Sequence, residues 1–218
     1  MKFIDSPTEQ TTAVTDAVLA LVALGGLLYL RQIGERDPWK AGLWAWAFGL
    51  LALAAGLGAV AHGFQMSEAT NEWFWRPLNL ALGLIVALFV VGVIYDLWGQ
   101  ALAQLALPVM LGVGVIFFGM TLLRPGKFLV FIVYEAVAMI FALGAYSWLA
   151  ATSRLPGAGW LAAGVLVTII AAGIQAGWDG KARPLTFIWQ FDQNGLYHLV
   201  QMVGVIFLLI GLRGALSI

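Results

Sequence analysis

Seven long apolar stretches run along the chain, at approximately 12–31, 41–63, 76–98, 100–122, 128–150, 158–177 and 195–214, separated by short polar or mixed segments. Roughly 20 mostly apolar residues are enough for a helix to cross about 30 Å of hydrocarbon. Backbone placed in lipid must satisfy its own hydrogen bonds, so each stretch is expected to be helical. The fourth is the least regular, because Pro108 falls inside it and Gly99–Gln100 leaves almost no connection before it. The pattern predicts an all-α, polytopic membrane protein: one seven-helix transmembrane domain over residues 1–218, with no soluble domain.

Composition narrows the picture further. The chain is 62% hydrophobic and 10% charged, with a mean hydropathy of +0.93. A soluble domain would be about a quarter charged. The N-terminal MKFIDSPTEQTT has no basic region ahead of a short apolar core, so it does not read as a signal peptide and the first helix is expected to be retained. There are no cysteines, hence no disulfide, thiolate metal site or thiol redox motif. Net charge is zero and no basic run exists, which argues against nucleic acid as a partner. The expected location is an integral, multi-pass one in a plasma or inner membrane.

Let end A be the end of the bundle that holds the N-terminus, and end B the other. Lys2, Arg76, Arg124, Lys127, Lys181 and Arg183 fall toward A, and Arg31, Arg36, Lys40, Arg154 and Arg213 toward B. That near-even division sets no orientation. Trp39, Trp73, Trp75, Trp98, Trp148, Trp160, Trp178 and Trp189 fall near span ends, where an amphipathic ring suits the headgroup region. The segments 64–76 and 178–194 are the longest connections at A, and both are aromatic-rich. They read as connectors or as an interfacial lid. Asp179 and Asp192 are expected at the solvent.

Polar residues inside the spans are costly unless paired or functional. They crowd at end A. Asp16 lies in the first turns of helix 1 and His62 ends helix 2. Asn79 begins helix 3, Glu135 lies about two turns into helix 5, and Gln175 ends helix 6. Asn194, His198 and Gln201 open helix 7. End B shows chiefly Asp96 and Gln104. Asp16 reads equally as an N-terminal cap of helix 1. Glu135 has apolar neighbours on both sides, so it must face the bundle interior, be protonated, or have a partner.

The two histidines are the only ones in the chain. Gly58 and His62 are four apart and share a helix face, which Ala54 continues as a seam of small residues. Asn194 and His198 are also four apart, with Gln201 three further on. If helices 2 and 7 are neighbours, the imidazoles face each other. Two imidazoles with a carboxylate or water can hold zinc. They can ligate a haem iron, or simply join a hydrogen-bond network.

This arrangement resembles the CREST superfamily of seven-helix membrane proteins, which includes the alkaline ceramidases, the adiponectin and progestin receptor group and the haemolysin III relatives. Members carry Ser-x3-His late in helix 2, Asp early in helix 3 and His-x3-His early in helix 7. Here the corresponding positions read Gly58-x3-His62, Asn79 and Asn194-x3-His198. The resemblance implies zinc held by His62 and His198, with a zinc-bound water attacking a lipid amide. Two of five motif residues are kept. Gly58 lacks the hydroxyl, Asn79 cannot act as a base, and Asn194 is a poor zinc ligand. Glu135 or Asp16 would therefore have to supply the further ligand or the base. Asn79, Asn194 and Gln201 would line the pocket against substrate.

Other classes fit less well. The last helix has no lysine for a retinal Schiff base. No internal repeat of the transporter kind is evident. Two readings stand: a divergent metal-dependent lipid hydrolase, and a non-enzymatic membrane-complex subunit or lipid- or pigment-binding protein. Membrane lipids, and in the second reading other membrane subunits, are the expected partners.

Overall fold

The computed structural model describes residues 2–123, 129–177, 184–186 and 188–217. Arg124, Lys127, Trp178, Asp179, Lys181 and Arg183 lie outside the described residues. Among the described residues the chain is helical apart from short connections and two short antiparallel strand pairs. Its helices are α1 (Pro7–Ile33), α2 (Pro38–Gly63), α3 (Glu68–Trp98), α4 (Gln100–Leu123), α5 (Leu129–Ala151), α6 (Ala158–Ala176) and α7 (Gln193–Leu216). Among the described residues, all seven are long and apolar enough to cross a membrane. Strand β1 (Lys2–Phe3) pairs antiparallel with β2 (Phe64–Gln65), and β3 (Leu185–Thr186) with β4 (Gln190–Phe191).

Local chemistry sets the helix starts. The first four N–H groups of a helix lack partners inside it, and a short polar side chain just before the helix supplies one. Ser6, Asp37, Ser67 and Asp192 each accept from the backbone N–H three residues on, in Glu9, Lys40, Thr70 and Gly195. Ser6 is thus the cap of α1, and Asp16, ten residues later, is not. Ser67 starts α3 well before residue 76, so most of the segment 64–76 is helix. Asp192 is half-buried at the start of α7 and is not left to solvent. Pro77 and Pro108 lie inside α3 and α4 without ending either helix.

Six helices close a ring in the order α1, α2, α3, α5, α6, α7 and back to α1. Helix α4 stands outside it, packed mainly on α3, and leaves Leu105, Val109, Ile116 and Leu123 exposed. Crucially, α1 packs against both α2 and α7, so the two histidine helices meet across α1. The α5–α6 turn rides directly on α7. Gly157 there has φ +81°, and a Cβ on it would fall 2.2 Å from the Gly211 carbonyl oxygen. Only glycine meets both conditions. The core of the ring includes Trp44, Phe89, Val91, Tyr146, Leu161, Val205 and Leu212. Trp73, Trp98, Trp148, Trp160 and Trp189 are exposed near the ends, whereas Trp39 stacks on Tyr95 and Trp75 meets the His62 ring edge-to-face.

Candidate functional site

The polar groups at end A are organised by one face of α1. Glu9, Thr12 and Asp16 follow each other at intervals of three and four, which places them along one face of the helix. Each meets a different element. Glu9 Oε2 lies 2.6 Å from His62 Nδ1 on α2. Thr12 donates to Asp192 Oδ1 at 2.9 Å, tying α1 to the cap of α7. Asp16 Oδ1 lies 3.1 Å from His198 Nε2 on α7. The two histidine–carboxylate pairs are within electrostatic reach of each other.

The other face of the His198 ring is also engaged. Its Nδ1 lies 3.1 Å from Thr15 Oγ1. The single Thr15 hydroxyl proton is directed to the backbone carbonyls of Thr12 and Thr11, at 2.9 and 3.1 Å. We therefore assign the proton on Nδ1 to His198, donating to Thr15. Nε2 then shares a proton with Asp16. A hydroxyl, an imidazole and a carboxylate in series are the parts of a nucleophilic triad. Here, however, the hydroxyl is committed to main-chain carbonyls and is buried, so the series positions helices.

This arrangement bears directly on zinc. Two imidazoles and two carboxylates are suitable donors in kind. Both nitrogens of His198 are already bonded, and His62 turns Nδ1 to Glu9. Among the described residues no three His, Asp or Glu side chains group as a metal cage. As placed, His198 binds a metal ion only if one of its two contacts opens, whereas the Glu9 contact leaves Nε2 of His62 outside that pair.

The remaining candidates separate into two groups. Asn194 accepts from Gln175 Nε2 at 3.0 Å, which joins α6 to α7. Asn79 is half-buried on α3 and bonds neither histidine. Glu135 and Gln201 instead face a cavity of about 80 Å³ enclosed by the ring. Its wall is chiefly apolar, with Phe48, Leu51, Leu82, Phe89, Met139, Val205 and Leu208. Trp44, Glu135, Thr168, Tyr197 and Gln201 bring the polar atoms. Glu135 is 9% exposed and forms no hydrogen bond or ion pair among the described residues. Two of these lining residues, Gln201 and Trp44, carry a buried polar atom (Oε1 and Nε1) with no hydrogen-bond partner among the described residues. Tyr197 connects the regions: it borders the cavity, its ring meets that of His198, and it lies within electrostatic reach of Glu135 and Asp16.

End B is not the poor relation that the residue pattern suggests. Lys40 Nζ and Asp96 Oδ1 form an ion pair at 2.5 Å, with side chains only 3% and 1% exposed. Lys40 also donates to the Ala215 carbonyl at 3.2 Å, and Tyr146 donates to Asp96 Oδ2 at 3.0 Å. Tyr95 donates to Asp37 Oδ2 beside them. Helices α2, α3, α5 and α7 are thereby fastened together. Lys40 sits three residues past its cap, at a position that the sequence reads as loop, and its stem carries the ammonium inward.

Sequence reasoning also missed Glu9, Thr15, Tyr197 and Trp44. The seven-residue interval between Glu9 and Asp16 was the available signal for the first. Trp44 lies inside an apolar run that says nothing about which way a ring points.

A family model described as "Family of unknown function (DUF6962)" matches residues 11–217, which takes in all seven helices apart from the first turn of α1. No curated protein and no solved structure matches the chain. The chain belongs to this family, DUF6962.

Proposed function

We propose that this chain is a multi-pass integral membrane protein that binds a small amphipathic molecule inside its six-helix ring. The observation that carries the reading is a largely apolar cavity lined by the buried Glu135 together with Gln201 and Trp44, whose Oε1 and Nε1 have no hydrogen-bond partner among the described residues. Buried polar groups in proteins nearly always find a partner, and one left without costs about 1–3 kcal/mol. Here an acceptor and a donor both remain open among residues that line the cavity, as does a carboxyl group. A bound molecule with an apolar body and a polar end suits that lining. The cavity, at about 80 Å³, is well above the roughly 10–15 Å³ needed to admit one water. That suits a small molecule and is far short of a whole phospholipid or a pigment.

The histidine–carboxylate pairs take a supporting part. They fix α1 between α2 and α7, and so fix Tyr197 at the cavity wall. Seven apolar helices support insertion in a bilayer, with the outer face of α4 against lipid or a second membrane subunit.

Native mass spectrometry of detergent-purified protein tests this reading. Wild type is expected to retain a small adduct through mild activation. Gln201→Leu should weaken its retention, and Val205→Phe, which fills the cavity, should abolish it. An adduct retained equally in all three, or absent from wild type even after exposure to a library of small amphiphiles, overturns the proposal.

A further inference from the structure

We infer that the molecule bound in the cavity is a small organic cation, held by Glu135. This inference rests on the cavity-binding reading above and adds the charge of the ligand.

Among the described residues, the other carboxylates that are buried or half-buried in the bundle have partners. Asp16 has His198, Glu9 has His62, Asp96 has Lys40 and Tyr146, and Asp37 has Tyr95 and a backbone N–H. Glu135 alone of the buried or half-buried carboxylates has no such partner among the described residues, although it is more buried than Glu9 and Asp37. A carboxyl group removed from water is either neutral or held by a cation or several donors. Among the described residues no cation pairs with Glu135, and the buried ammonium Lys40 is spent on Asp96 at end B.

The rest of the wall suits the same guest. Trp44, Phe48, Phe89 and Tyr197 present aromatic rings to the cavity. A cation is attracted to the face of such rings, and more strongly where water is excluded. Gln201 Oε1 offers a neutral acceptor for an ammonium N–H. An alkyl chain of a few carbons fills the apolar remainder. The chemical class is a small protonated alkylamine.

The probes are isopentylamine and isopentanol, which share size and shape and differ in charge at neutral pH. Binding of each to the detergent-solubilised full chain is read by isothermal titration calorimetry. The amine is expected to bind wild type about tenfold or more tighter than the alcohol, because a charge-assisted bond in a dry site exceeds a neutral one. In Glu135→Gln the amine should lose that advantage while the alcohol is unchanged. Val205→Phe should bind neither probe. If wild type binds the two equally, the cation inference is overturned and the cavity reading stands. If wild type binds neither, both are overturned. The wild-type comparison decides the matter even if Glu135→Gln does not fold.

Discussion

The carboxylate of Asp16 occupies the space that a side chain at Gly58 would need. A Cβ built on Gly58 falls 2.7 Å from Asp16 Oδ2 and 3.1 Å from Oδ1. The small residue on α2 is therefore what lets α1 bring Asp16 up to His198. Gly58→Ala is expected to push the carboxylate off the imidazole and to destabilise the protein by about 1–3 kcal/mol, the usual range for overpacking. Thermal unfolding in detergent checks this. A melting temperature equal to that of wild type would show that Asp16 has room to move.

The two histidines should differ in their importance. His198 is held on both nitrogens and leaves Asp16 and Thr15 buried without it. His62 pairs with Glu9, whose side chain is 37% exposed and can turn to solvent. His198→Ala is expected to cost about 2–4 kcal/mol, as loss of one partner of a buried polar pair does. His62→Ala should cost less than half of that, since an exposed pair is worth little. Equal melting temperatures for the two variants would contradict this ranking.

Chelation provides a separate check on the same groups. With His198 bonded on both sides, a chelator should leave the melting temperature of wild type unchanged, and added zinc should not raise it. A drop of several degrees on chelation that zinc restores, and that His62→Ala and His198→Ala abolish, would show that both pairs open to hold a metal.

At end B, breaking the Lys40–Asp96 pair from one side should be severe. Lys40→Met or Asp96→Leu leaves the other charge buried, at an expected cost of about 3–5 kcal/mol. The double variant Lys40→Met with Asp96→Leu should recover much of the loss, since a matched apolar pair avoids desolvating any charge. A double variant less stable than either single one would show that the network does more than fasten helices.

Much of this architecture is legible in the sequence, for a definite reason. Lipid-compatible helices must be long and apolar, so hydropathy alone marks their number and most of their ends. It fails at α3, whose first turns, Glu68–Arg76, mix charged and polar residues with aromatic ones and are started by the Ser67 cap. Glu135 is legible as an inward-facing group because apolar residues flank it. Which helices are neighbours is not legible. Nothing in the spacing of His62 and His198 says that α1 stands between them, or that each meets a carboxylate of α1. The buried Lys40 and the cavity wall likewise depend on helix rotation, which the near-uniform apolar character of α2 leaves open.

The most direct test watches a single atom of the cavity wall. The protein is labelled with ¹⁵N at its indole nitrogens, and the Trp44 resonance is assigned by its loss in Trp44→Phe. Isopentylamine is then titrated into the wild type. The account predicts that the Trp44 indole signal shifts and saturates, while those of the exposed Trp46 and Trp73 stay in place. A Trp44 signal that stays fixed at saturating amine, or that moves only in step with the exposed tryptophans, would contradict a binding site within the ring.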